Sequence, residues 1–195
     1  MKRLLLATLL CGALPAMAAL HEGDTAPDFK TPASLAGKTI DFSLKAALSK
    51  DIVVLYFYPS AYTGGCNIEA HNFADNSAKF ADAGARVVGV SLDSITRLND
   101  FSADPDYCAG KIAVASDADG KITKAYAIAI REAQPGKKDT RGVEIDHGFA
   151  ERVTYIITPD GKIAAALSAL TPAQNVAKSL EIVQQLSDAK KAVNW

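Results

Sequence analysis

The sequence predicts an α/β fold, a central mixed β-sheet with helices on both faces. Three observations carry that prediction. The runs Ile52 to Tyr58 and Arg86 to Leu92 are continuous apolar, β-branched and aromatic stretches, as expected of strands covered on both sides. Between them the chain has helical periodicity, with Phe73 and Phe80 seven residues apart on one side. Near the C-terminus, Thr158-Pro159-Asp160-Gly161 is a turn signal between two further apolar runs, and an amphipathic segment follows.

Taken in order, the first eighteen residues stand apart. Lys2 and Arg3 precede an apolar stretch from Leu4 to Leu14, and Ala16-Met17-Ala18 offers small residues for cleavage. This is the layout of a secretory signal peptide. It is too short for a membrane anchor, which needs about 20 apolar residues. Thr8-Leu9-Leu10 ahead of Cys11 lacks the small residues that lipid attachment would want, so Cys11 has no role once the leader is cleaved. Residues 19–195 are then one domain of ordinary length, able to bury a full core. Loss of Lys2 and Arg3 takes the net charge from −1 to −3. No basic run is long enough to suggest nucleic acid or a membrane patch as partner. No repeat, low-complexity tract or second-domain linker is visible.

Strand Ile52 to Tyr58, a helix from Cys66 to about Ala83, and strand Arg86 to Leu92 form a βαβ unit, so the two strands should be parallel. Shorter helices are expected over Ile95 to Ser102 and Lys121 to Ala127, with a strand near Ile112 to Ala115. Glu132 to Phe149, rich in Lys, Asp and Gly, reads as a long loop. Arg152 to Ile157 and Lys162 to Leu167 should form a hairpin. A last helix opens at Thr171-Pro172, proline being natural in a first turn, and its apolar face is Val176, Leu180, Val183 and Leu186. This order is that of a thioredoxin-like sandwich.

The most informative residue is Cys66, which ends Pro59-Ser60-Ala61-Tyr62-Thr63-Gly64-Gly65-Cys66 where a buried strand turns into a helix. Unpaired N–H groups of a first helical turn favour negative charge. A free thiol with pKa of about 8.5 is only a few per cent thiolate at neutral pH. A reactive site must lower that value by roughly two to three units, about 3–4 kcal/mol.

Pro59-x-x-x-Thr63-x-x-Cys66 resembles the active-site signature of peroxiredoxins, and the surrounding text is similar to the bacterioferritin-comigratory, or Q-type, branch. Gly23-Asp24-x-Ala26-Pro27-Asp28-Phe29 resembles the family's opening. Tyr56-Phe57-Tyr58-Pro59, Cys66-x-x-Glu69-Ala70-x-x-Phe73, Val88-Gly89-Val90-Ser91-x-Asp93-Ser94, Ser116-Asp117-x-x-Gly120 and Arg152-x-Thr154-Tyr155 continue the match in sequence order. The resemblance covers nearly all of residues 19–195. It implies a thiol peroxidase that reduces hydrogen peroxide and small organic hydroperoxides, which the leader-like N-terminus would send out of the cytoplasm, to the periplasm.

Splitting a peroxide requires an anionic sulfur, an aligned O–O bond and stabilised charge on the leaving oxygen. Cys66 would be the nucleophile. Thr63, three residues earlier, can hydrogen-bond thiolate and peroxide, and Pro59 can shield the thiolate from water. The resemblance assigns the fixed cation to Arg152, whose guanidinium stays protonated; its strand should lie beside the one ending at Tyr58. Taken singly, Thr63 also reads as a helix cap, Gly64-Gly65 as a flexible turn and Arg152 as a strand-end surface charge. Glu69, one turn after Cys66, would either orient Arg152 or be an exposed acid favourable to the helix dipole.

Cys108 is open. Many Q-type relatives carry a second, resolving cysteine five residues after the first, a position held here by His71. Others carry it later, where Cys108 falls, and Asp104-Pro105-Asp106-Tyr107 before it argues for a loop that could move. Cys108 would then condense with the sulfenic acid formed on Cys66. The alternatives are a bystander thiol in a one-cysteine mechanism, or a structural disulfide, which would consume the nucleophile. His71 and His147 lack cysteine or acidic partners at metal-ligand spacing. No metal, haem or nucleotide is implied. Turnover needs a thioredoxin-like or small-thiol reductant, and the chain would be a monomer or homodimer.

Two other functions use the same fold. A thiol–disulfide oxidoreductase needs Cys-x-x-Cys, but Thr63 stands where its first cysteine would be, and Val153 replaces the proline that should face the motif. A metal-handling module would want two neighbouring cysteines and a histidine, and Cys66 has no near cysteine.

Overall fold

The structure is a computed structural model that describes residues 20–193; the expected leader, residues 1–18, lies outside the described residues. The elements are β1 (Lys30–Leu35), β2 (Lys38–Ser43), α1 (Leu44–Leu48), β3 (Ile52–Phe57), α2 (Gly64–Asp75), α3 (Ser77–Asp82), β4 (Ala85–Ser91), α4 (Ile95–Ala103), β5 (Ala113–Ser116), α5 (Lys121–Ala125), β6 (Ile130–Arg131), β7 (Phe149–Ala150), β8 (Val153–Ile157), β9 (Ile163–Ser168) and α6 (Pro172–Val193). Seven strands form one mixed sheet in the order β2-β1-β5-β4-β3-β8-β9.

Strand β3 lies at its heart and every residue in it is buried. It pairs in parallel with β4 and antiparallel with β8, Phe57 standing opposite Val153. Because side chains alternate along a strand, β3 feeds two cores. Val53, Leu55 and Phe57 join Leu44, Leu48 and Ile122, from α1 and α5, on one face. Ile52, Val54 and Tyr56 join Phe73, Phe80, Leu98, Phe101, Val176 and Val183, from α2, α3, α4 and α6, on the other. Helices thus cover both faces, as the strand patterns require. In the second core Tyr56 lies over Gly89 of β4, where a Cβ would come within 2.6 Å of its ring.

Three features differ from the sequence expectation. The helix expected from Cys66 to about Ala83 is two helices, α2 and α3, because Asn76 (φ −96°, ψ 5°) leaves helical geometry and turns its amide back to the Asn72 carbonyl at 2.8 Å. Phe73 and Phe80 still share a face across the break, with ring centroids 5.7 Å apart. The hairpin β1–β2 and the short α1 had no counterpart in the periodicity. The segment 132–149 is a long loop, as expected, but β6 and β7 pair at its base and Lys138 and Glu144 form a bridge within it.

Candidate active site

Thr63 sits at the N-cap of α2 with extended backbone (φ −117°, ψ 145°), which puts Cys66 in the first turn of the helix. That position faces the unpaired N–H groups and positive end of a twelve-residue helix. Cys66 is 2% exposed. Arg152, immediately before β8, donates from Nη2 to Cys66 Sγ at 3.3 Å and from Nη1 to Glu69 Oε2. The β3–β8 pairing creates this meeting, since the residue after Arg152 stands opposite the last residue of β3. Gly65 leaves it room: a Cβ there would lie 3.3 Å from Arg152 Nη2.

Glu69 is 0% exposed, so the exposed-acid reading is overturned. Residues three apart share a helix face, and the face carrying Cys66 and Glu69 points at Arg152. Burial pushes the Glu69 carboxyl up, opposed by the charge of Arg152 and by a hydrogen bond from Asn175. Burial works against the charge of Arg152 too, but its interactions with Cys66 and Glu69 outweigh it and raise the guanidinium further.

Thr63 does not cap the helix with its side chain. Its hydroxyl donates to the Ser60 carbonyl at 2.8 Å. With that proton committed, Thr63 does not donate to the Cys66 sulfur as expected, and its oxygen is left as an acceptor. Pro59 is half-buried, in the loop between β3 and α2.

The loop between Pro59 and Thr63 is held from behind by a buried polar cluster. Asp93 accepts from Ser60 Oγ (2.9 Å), the Ala61 N–H (2.8 Å) and Ser91 Oγ (2.7 Å), and pairs with Arg97 (2.8 Å) and His147 Nε2 (2.9 Å). Arg97 donates to the Ala61 carbonyl at 3.0 Å and to Asp139 at 2.9 Å. The Thr140 N–H donates to the Tyr62 carbonyl at 2.9 Å, and the Arg141 guanidinium lies 3.2 Å from the centre of the Tyr62 ring. Tyr62 needs such a grip, because its φ of 59° is left-handed and strained for a residue with a side chain. Segment 132–149 therefore clamps the active-site loop. His147 stands between two acceptors, Asp93 and the Gly148 carbonyl, which outweigh burial and raise it; they call for an imidazolium. Burial also works against the Asp93 carboxylate, but the His147 bond and charge hold it below the usual range.

Cys66 and Cys108 are both free thiols within one apolar cluster. Cys108 is 0% exposed. Burial, then the nearby Asp104 carboxylate, pushes its thiol up, so it stays protonated. The segment expected to move is well tied in this state: the Ala109 and Gly110 N–H groups donate to the Asp104 and Ser102 carbonyls at 2.8 Å, and Tyr107 packs on Phe101 and Tyr62. His71 is a surface residue, paired with Asp75 at 3.1 Å and close to the Asp106 carbonyl at 3.0 Å. Among the described residues no group of three or more His, Cys, Asp or Glu is placed to hold a metal ion.

The structure thus brings Cys66, Arg152 and Glu69 into contact, with Thr63 at the N-cap of the same helix and Pro59 in the loop before it. It adds Asn175, Thr154 and the Asp93 cluster, which sequence reasoning missed. Asp93 stood in a quoted motif, but nothing local tied it to a loop thirty residues earlier.

The AhpC/TSA family model matches residues 22–166. Peroxiredoxin Bcp of Xanthomonas campestris is 31% identical over 141 residues, covering 72% of this chain and 80% of that protein. Among solved structures, peroxidoxin BcpB from Mycobacterium tuberculosis is 27% identical with a TM-score of 0.71, covering 85% of this chain and 97% of that one. A Xanthomonas campestris bacterioferritin comigratory protein, studied for its alkyl peroxide reduction activity, is 26% identical with a TM-score of 0.65, covering 87% and 99%.

Proposed function

The chain belongs to the AhpC/TSA family of peroxiredoxins, and from that membership we infer that it is a thiol peroxidase with Cys66 as its peroxidatic nucleophile. One observation carries the assignment of the nucleophile: the guanidinium of Arg152 donates directly to Cys66 Sγ, at the positive end of α2. The Cys66 thiolate attacks one oxygen of the hydroperoxide, forming S–O as O–O breaks. The electron pair leaves on the other oxygen, which takes a proton and departs as water or alcohol, while sulfur becomes a sulfenic acid. Arg152, always protonated, offers its charge where the leaving oxygen develops charge of its own. Thr63, with its own proton on Ser60, accepts from the substrate O–H and so registers the attacked oxygen. Pro59 screens the sulfur from water.

Substrates of this site are hydrogen peroxide and small organic hydroperoxides; the alkyl peroxide reduction studied in the Xanthomonas relative supports the latter. Cys108 is the resolving thiol: it condenses with the sulfenic acid, forming a disulfide and releasing water. Its place in the same apolar cluster as Cys66 supports this, and its burial means that the Cys108 segment must open first. A thioredoxin-like protein or a small thiol then returns both cysteines to thiols. The leader-like first eighteen residues support export, and hence a periplasmic location.

The test exposes the reduced protein to one equivalent of hydrogen peroxide, followed by intact mass and a non-reducing peptide map. Loss of two hydrogens with a Cys66–Cys108 peptide is the expected result. Oxygen gained on Cys66 alone would make this a one-cysteine peroxidase. An unreacted Cys66 would end the peroxidase reading.

A further inference from the structure

We propose that Asn175, in the first turns of α6, is a positioning residue for the peroxidase site: its side-chain amide holds Glu69, and Glu69 holds Arg152 toward Cys66. The inference rests on the role given to Cys66 above and extends the site by one residue from a different element. Asn175 is 2% exposed. Its Nδ2 donates to Glu69 Oε1 and to Thr154 Oγ1, both at 2.7 Å. A carboxylate oxygen only accepts, so the amide nitrogen rather than its oxygen must face Glu69. Both amide protons are thereby spent, and Oδ1 is left buried with no partner.

The polar work of this buried side chain is thus done by its amide nitrogen alone. The amide completes a directed chain. Thr154 belongs to β8, two residues beyond Arg152, so Asn175 braces Glu69 against the same strand that delivers the guanidinium. Glu69 is then held through both oxygens, Oε1 by Asn175 and Oε2 by Arg152. With its carboxylate fixed, one fork of the guanidinium is fixed, and the other is left facing sulfur. The charged or titratable groups around Glu69 are Arg152 before β8, Cys66 in α2 and Tyr56 in β3; α6 contributes only the neutral amide.

Two substitutions separate positioning from packing. Asn175→Asp keeps size and shape but replaces the donor by an acceptor beside Glu69. Asn175→Ala removes the contact and leaves a small void. Each is assayed for Cys66 oxidation by hydrogen peroxide and for Cys66 alkylation by iodoacetamide, both across pH, with the melting temperature as a check on folding. The expected result is that the Asp variant is the more damaging, slowing the peroxide reaction about tenfold or more at neutral pH, as loss of a charged hydrogen bond implies. The acid limb of both pH profiles should move upward in both variants, further for Asp, because added negative charge and a loosened Arg152 both disfavour the thiolate. In a Glu69→Gln background the same changes should have little further effect on either limb. Unshifted limbs, or an Asp variant milder than Ala, would overturn the proposal. A wild-type protein inert to peroxide, but with alkylation limbs shifted as described, would end the peroxidase reading and leave Asn175 in its role.

Discussion

Arg152 serves two acceptors with one planar cation. Its fork spans Glu69 and the Cys66 sulfur, a geometry a lysine ammonium cannot copy while facing both. Arg152→Lys is therefore expected to slow peroxide reduction about 10²-fold, the scale for losing one well-placed donor to developing charge, with the fold intact; stopped-flow rates alongside circular dichroism check this. At this scale the sequence was read unevenly. Cys66, Thr63, Pro59 and Arg152 lay in recognisable motifs. Glu69 had two readings, and only its burial chose between them. Asn175 was invisible, since a lone asparagine in a helix makes no pattern and its partner lies 106 residues away.

Elements follow a similar rule, in which strong periodicity was legible and weak turn chemistry was not. The strands β3, β4 and β8 and the helix α6 emerged from apolar runs and spacing. The β1–β2 hairpin did not, because Pro32 interrupts β1 and its turn places an alanine, Ala36, at φ 50° before Gly37, where asparagine or aspartate would have announced it. Pro32 is tolerated because β1 pairs with β5 only through Ala33 and Ser34. The packing of β3 on β4 gives one expectation: Gly89→Ala forces a methyl against the Tyr56 ring and should lower stability by about 1–3 kcal/mol, read from denaturant melts. The long loop gives another. His147 is raised by Asp93, so its contribution is fully present below the ordinary histidine pKa of about 6.5 and fades as pH rises through the elevated folded value. The depressed Asp93 contributes above about 3.9 and fades as pH falls through its lowered value. His147→Gln should then cost about 2 kcal/mol near pH 5.5, where the charged pair is intact, and progressively less at alkaline pH. Melts at several pH values would show the gap closing; a gap that widens with pH would contradict the assignment.

At the scale of the whole molecule, the two sulfurs share a core. Cys66 is 2% exposed, in the first turn of α2, and Cys108 0%, in the segment after α4. In the cycle proposed above, peroxide attack needs only the folded state, whereas the Cys66–Cys108 disulfide needs part of that core to open. Urea below the unfolding transition should accelerate formation of the Cys66–Cys108 bond while leaving the rate of Cys66 oxidation nearly unchanged, as rapid-quench mass spectrometry would read. Equal response of both steps would contradict it. The site is also assembled from distant parts of the chain: sulfur and guanidinium are 86 residues apart, and the amide behind Glu69 comes later still. A nascent chain therefore carries its cysteine long before the cation that makes it dangerous. The contacts around Glu69 are complete only with the final helix, so an unfinished chain lacks the assembled site.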